Sequence, residues 1–182
     1  MLRRRAGSGI AMLALGMVLA IAPVTVASAR SHKAATHHKK KQKKPTTKLG
    51  SACPTSAEMS TAAGTAYPAP RASNSAGTVV CNYADPTTGA NLVLLFQSNS
   101  GTSASTLKIV ADSQASAQKT TATAVSGFGS AAYVFTLDDA STNASGVATT
   151  NMFILDGSTL IDITAEATVA QVKAVARYVL TH

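Results

Sequence analysis

The apolar positions beyond residue 48 fall into short runs separated by turn-forming residues. Runs of this length, bounded by Gly, Pro, Asn and Asp, predict β-strands. The five predicted strands cover residues 78–83, 91–97, 131–137, 147–155 and 159–164. Residues 85–89 and the pair Asp156-Gly157 predict the turns of two hairpins, and strands joined by short turns must be antiparallel.

Three further segments predict helices, over residues 55–64, 103–119 and 168–180. Thr55 with Glu58, and Thr168 with Gln171, have the spacing of capping boxes, at which a helix begins. Residues 67–77 lie between the first helix and the first strand. They are rich in Pro, Gly and Ser, and they predict a loop.

The predicted order of elements is α-β-β-α-β-β-β-α. This order indicates an α+β fold, in which an antiparallel sheet of about five strands carries the helices on one face. From Leu49 onward the chain has 30 Val, Ile, Leu, Phe and Met residues, which is enough for one small core. We therefore expect a single small domain over residues 49–182.

The basic residues are concentrated before this predicted domain. Of the 16 Lys and Arg residues, 8 lie within residues 30–48, whereas all 8 acidic residues lie beyond Leu49. Five basic residues accompany those acids, so residues 49–182 carry a formal charge of −3. The net charge of +8 therefore belongs to a tail and does not indicate a basic nucleic-acid-binding domain.

The first 29 residues have the pattern of a secretory signal peptide. Three arginines, Arg3 to Arg5, precede an uncharged apolar run, and Ala27-Ser28-Ala29 forms a small-x-small cleavage site. Cleavage after Ala29 is the expected outcome, and an uncleaved membrane anchor over the same run is the alternative. The sequence leaves the export route open. It predicts a secreted or extracytoplasmic protein associated with the cell envelope.

Cys53 and Cys81 are the two cysteines of the chain. In a small domain with few large side chains they predict one disulfide, which requires an oxidising compartment and agrees with export. Metal binding is a weaker alternative, because neither cysteine belongs to a C-x-x-C pair and the chain has no His between Leu49 and Thr181.

Residues 30–48 predict a disordered linker rich in Lys and His, because they contain no large apolar residue. One interpretation is a solvated spacer. The other is electrostatic attachment to an anionic cell-envelope polymer or to lipid headgroups. The lysines that would make this attachment are Lys39, Lys40, Lys41, Lys43 and Lys44. No aromatic residue is interleaved with them, so sequence-specific nucleic-acid binding is not expected.

A mature chain that starts at Arg30-Ser31-His32 would place a His third after a free amine. The amine, two deprotonated amides and the imidazole form a square-planar nitrogen set, which suits Cu(II) or Ni(II). The alternative is an incidental His in a polar tail. Apart from this N-terminal site, the sequence predicts no cofactor.

Other matches to known chemistry are weak. Ser105 and Lys108 match S-x-x-K, and Gly127 to Ala132 match G-x-G-x-x-A, but the sequence context of each motif is missing. Three residues of one polar loop are candidates for contact with a hard cation, but an ordinary solvated turn explains them better. They are Asp138, Asp139 and Asn143. Asp162 lies between Ile161 and Ile163, and strand alternation predicts that it points outward.

The cysteine pair, the helix after Cys53, the hairpin containing Cys81 and the segment Gly127-Phe-Gly-Ser-Ala-Ala-Tyr133 carry a resemblance. Between Cys53 and about Leu180, the chain resembles small bacterial secreted and lipoprotein domains of uncharacterised function. It departs from the lipoprotein members because it lacks a lipidated cysteine, since no cysteine follows the predicted cleavage site before Cys53. The resemblance implies an extracytoplasmic domain of this topology and supplies no active site.

Two classes of function remain. The first is a non-catalytic extracytoplasmic domain, a monomer, that binds an unknown protein, small ligand or envelope component. The alternative is an envelope-anchoring protein whose basic tail binds anionic polymers, with the domain as a stable cap. Enzyme activity is not expected, because the predicted domain has no Ser/His/Asp set.

Overall fold

The computed structural model describes residues 53–85 and 87–182. The predicted signal peptide, the basic linker and the predicted Cu(II) or Ni(II) site at Arg30-Ser31-His32 lie outside the described residues. The described helices are α1 (Ser56–Ala63), α2 (Ala104–Ala117) and α3 (Val169–Thr181). The strands are β1 (Arg71–Ser75), β2 (Thr78–Ala84), β3 (Asn91–Gln97), β4 (Thr123–Ala124), β5 (Ala131–Thr136), β6 (Thr149–Asp156) and β7 (Thr159–Glu166).

The strands form one antiparallel sheet in the order β1-β2-β3-β7-β6-β5-β4. The α+β class is confirmed, but about five strands was too few, since the sheet has seven. The sequence missed β1, which lies in the predicted loop, and the two-residue β4. All five side chains of β1 are exposed, so the strand has no apolar alternation. It is set instead by the turn at Ala76 and Gly77, whose φ angles of 46° and 81° suit a tight hairpin.

The helices lie on both faces of the sheet, so the prediction of a single helical face was wrong. Alternate residues of β6 show the two sides. Met152 and Ile154 pack in one core cluster with α1 and α3, whereas Phe153 and Leu155 pack in another with α2. Because β6 is covered on both faces, it has a continuous apolar run rather than an alternating one.

The two predicted capping boxes are confirmed. Thr55 and Glu58 close the start of α1, which ends at Gly64 in the left-handed conformation. Thr168 and Gln171 close the start of α3. The Gln171 side chain also donates to the carbonyl oxygen of Ala63 at 3.1 Å, so this cap joins the start of α3 to the end of α1.

The predicted disulfide joins Cys53 to Cys81, with their Cα atoms 5.6 Å apart. It ties the segment before α1 to the buried middle of β2. A second link lies beside it, since the Tyr83 hydroxyl donates to the carbonyl oxygen of Pro54 at 2.6 Å. A disulfide is consistent with an extracytoplasmic location.

Candidate functional site

Helix α2 packs on β5 and β6, and no described helix packs on the same face of β1, β2 and β3. We call this uncovered part, together with the adjoining face of β7, the open half-face. Strand register gives its two central rows of side chains. One row is Arg71, Asn82, Val93 and Thr164, and the next is Ser73, Val80, Leu95 and Asp162.

A cavity of about 350 Å³ lies at one end of the open half-face, where β2 ends and β3 begins. We call it the strand-end cavity. Its lining is mixed, with one cation, two carboxylates, two amides and three small residues. The lining residues are Arg71, Asn82, Ala84, Asp85, Gly89, Ala90, Asn91 and Glu166.

The turn between β2 and β3 forms one wall of the cavity, and Asp85 holds it. One carboxylate oxygen accepts from the backbone N–H of Thr87 at 2.7 Å, and the other accepts from the Thr88 hydroxyl at 2.8 Å. These hydrogen bonds lower the pKa of Asp85 below its ordinary value, and the one from the Thr87 backbone has the larger effect. Both of its oxygens therefore serve the turn as an ionised carboxylate.

The turn meets a second loop, residues 138–147, at Gly89. A Cβ atom at Gly89 would lie 2.7 Å from the Ala144 Cβ and 2.9 Å from the backbone nitrogen of Ser145. Gly89 also has φ of 74°, which favours glycine. Ser145 then donates its hydroxyl to Glu166 Oε2 at 2.5 Å. The contact between the two loops thus fixes the carboxylate on the far side of the cavity.

The second loop is closed by its own polar residues. Asp139 accepts from the backbone N–H and the hydroxyl of Thr149, at 2.8 and 2.7 Å. Asn143 donates to the carbonyl oxygen of Val147 at 2.7 Å. Two of the three residues considered for a hard cation are therefore used within the loop, and Asp138 is exposed. Within residues 53–85 and 87–182, no group of three or more His, Cys, Asp or Glu is arranged to hold a metal.

Two side-chain oxygens of the open half-face are buried without a hydrogen-bond partner: Asn91 Oδ1 and Asp162 Oδ1. A buried acceptor left unpaired costs about 1–3 kcal/mol, so each one needs an explanation. Asn91 lines the strand-end cavity. Asp162 lies farther along the face, between Leu95 of β3 and Phe153 of β6.

Asp162 points away from Ile161 and Ile163, as strand alternation predicts. It is not fully exposed there, because its neighbours on the open half-face bury one of its carboxyl oxygens. Desolvation raises the pKa of Asp162 to about 7. This group therefore titrates near neutrality, which its place in the sequence does not indicate.

The remaining motifs are structural. Lys108 pairs with Asp112 on the exposed side of α2. Gly129 precedes β5 in a loop where a Cβ atom would lie 2.3 Å from the carbonyl oxygen of Leu155, so glycine is required by close packing. Phe128 is buried, and the Arg177 guanidinium of α3 lies 5.4 Å from its ring centroid. The loop that contains Phe128 is therefore packed against the domain and does not form a pocket.

In comparisons with known proteins, the chain matches no family model, no curated protein and no solved structure. None of the helices that the structure describes is both long and apolar enough to cross a membrane. The strand-end cavity is therefore interpreted from its own residues. Sequence reasoning missed it, because Arg71 lies in a segment predicted as a loop and Glu166 lies beyond the predicted end of its strand.

Proposed function

We propose that this protein is a non-catalytic extracytoplasmic binding protein whose domain takes a small polar ligand in the strand-end cavity. The observation that carries the proposal is a cavity of mixed lining on the uncovered side of the sheet, with charged and amide groups that include Asn91, whose buried Oδ1 has no partner. Concave sites with a few convergent polar groups are the usual form of a small-molecule site. The Cys53–Cys81 disulfide supports the extracytoplasmic part of the proposal.

The cavity lining supports binding rather than catalysis. Among its described residues are charged groups and amides, but no Ser, Cys, His or Lys. A nucleophile paired with a base is therefore missing from the lining. Of its two carboxylates, Asp85 uses both oxygens in the turn, so the pair is poorly suited to act together as acid and base.

Chemical-shift mapping on the full chain tests this proposal. We would titrate it separately with putrescine, succinate, glucose and trialanine, which represent a cation, a dianion, a neutral polyol and a zwitterion. At least one probe is expected to shift the amide signals of Asn82, Ala90 and Asn91 together, while residues of α2 stay unchanged. If none of the four moves the cavity signals at millimolar concentration, the proposal fails.

The sequence also supports a second candidate function, in which the tail rather than the domain makes the functional contact. The segregation of charge supports it, because 8 basic residues lie in residues 30–48 and residues 49–182 are acidic overall. Here Lys39, Lys40, Lys41, Lys43 and Lys44 would bind anionic envelope polymers. Deleting residues 30–48 would then release the protein from the envelope fraction, whereas Arg71→Gln would leave it attached.

A further inference from the structure

The strand-end cavity has opposite charges at its two sides. Arg71 lies on the edge strand β1, and Glu166 lies on β7, with β2 and β3 between them. Three spacings of about 4.8 Å separate the backbones of β1 and β7 by about 14 Å. The sole ion pair within 4 Å among the described residues joins Lys108 to Asp112, so the two charges of the cavity do not pair with each other.

The acceptors of the cavity are gathered at the Glu166 side. Ser145 uses Glu166 Oε2, and no described hydrogen bond uses Oε1. Leu92 of β3 pairs with Ala165 of β7, so Asn91 and Glu166 are the next neighbours along the two strands. The unpartnered Asn91 Oδ1 therefore belongs to the same end as the free carboxylate oxygen. The χ2 torsion of Asn is broad, which allows this amide oxygen to turn toward a ligand.

The other side of the cavity offers donors. The Arg71 guanidinium supplies a planar fork of N–H groups, which matches a carboxylate. Arg71 is exposed, and the described part of the chain gives it no carboxylate partner. Asn82 lies directly opposite Arg71 in the strand register, and its amide adds both a donor and an acceptor there.

Resting on the proposed function, we propose that the ligand is a zwitterion of the amino-acid or short-peptide class. Its carboxylate binds Arg71, and its ammonium group binds Glu166 and the Asn91 amide oxygen. An extended tripeptide is about 10 Å long. Side chains stand roughly perpendicular to a sheet, so the charged ends of Arg71 and Glu166 lie about as far apart as their strands, and a short peptide with a hydrogen bond at each end spans that distance.

Three peptides that differ only in their end charges test this inference on the full chain. They are trialanine, N-acetyl-trialanine and trialanine amide, and binding is measured from the shifts of the cavity amide signals. Each blocked peptide loses one charge-assisted contact, so we expect its dissociation constant to be at least about tenfold higher than that of trialanine.

Charge-removing variants assign each end of the ligand. Arg71→Gln should weaken trialanine about tenfold and abolish its advantage over the amide. Glu166→Gln should abolish its advantage over the acetylated peptide. Lys119→Gln and Asp138→Asn each remove one charge from an exposed side chain outside the cavity lining, and both should leave binding unchanged.

Several results would overturn the inference. Equal binding of trialanine and either blocked peptide would show that the two end charges are not both recognised. Weakening by Lys119→Gln or Asp138→Asn as large as that by the cavity variants would show a general charge effect. If putrescine, succinate or glucose moves the cavity signals and trialanine does not, the zwitterion is wrong while the binding cavity stands. If no probe moves them, the proposed function itself fails.

Discussion

The titration of Asp162 predicts that this domain becomes less stable as the pH rises toward neutrality. Its pKa is raised from an ordinary 3.8 to about 7 by burial, so the folded state keeps the proton over a range in which the unfolded chain has lost it. This stabilising effect is complete below the unfolded pKa and is lost as the pH rises through the folded pKa. Asp162 lies between Leu95 of β3 and Phe153 of β6. Neither neighbour carries a charge that would offset the effect of burial on its pKa.

The size of the effect follows from the shift. One pKa unit corresponds to about 1.4 kcal/mol, so a shift of this size destabilises the folded state by at most about 4 kcal/mol between pH 4 and pH 8. Total stabilities of single domains are about 5–15 kcal/mol, so even half of that effect is measurable.

Asp162→Asn removes the titration and keeps the shape of the side chain. Urea unfolding of the oxidised full chain would be measured from pH 4 to pH 8 for the wild type and the variant. Glu58, Asp85 and Asp139 have lowered pKa values and shift stability in the opposite direction at acid pH, but they do so equally in both proteins. We expect the variant to gain about 2–4 kcal/mol over the wild type as the pH rises from 4 to 8.

The control is Asp138→Asn, which removes an exposed carboxylate instead of a buried one and should not give the gain expected for Asp162→Asn. Parallel curves for Asp162→Asn and the wild type would refute the argument. That result would mean that water reaches the Asp162 carboxylate and that its pKa is close to ordinary.

Three further predictions concern the packing of the domain. Gly89→Ala should destabilise the fold by about 2 kcal/mol in urea unfolding and shift the signals of Glu166, because a methyl group there meets the backbone of Ser145. The control is Gly101→Ala, which has a similar φ and open space around it. Equal losses of stability in the two variants would contradict the clash. Reduction of the Cys53–Cys81 disulfide should cost roughly 3–4 kcal/mol in the same assay, and an unchanged urea midpoint would contradict this stabilisation. Gln171→Ala should cost about 1–2 kcal/mol, because it removes a cap and the link to Ala63, whereas Gln114→Ala on the exposed side of α2 should be nearly neutral.

Local features of the fold could be predicted from the sequence because few residues decide them. The capping boxes at Thr55 and Thr168 depend on side chains three residues apart. The apolar run Met152 to Leu155 marks a strand buried on both faces, whatever covers it. The side of the sheet on which α2 packs could not be predicted in this way, because it depends on whether the chain crosses above or below the sheet between β3 and β5. Nothing in the weakly amphipathic sequence of α2 specifies that choice.

The strand-end cavity could not be predicted, because its charged residues become neighbours only through the strand order. Glu166 lies 95 positions after Arg71 in the chain, and β7 comes to lie beside β3 only as the last strand of the meander β4-β5-β6-β7. Alternation places Glu166 on the face opposite Ala165, but it does not indicate that Asn91 lies beside it. Arg71, Asn82 and Glu166 lie on the face opposite the side chains packed with α1 and α3, and the cavity touches that core at Ala90. Substitutions of Arg71, Asn82 and Glu166 should therefore change binding with little change in stability, whereas Gly89 and Ser145, where two loops meet, connect both properties.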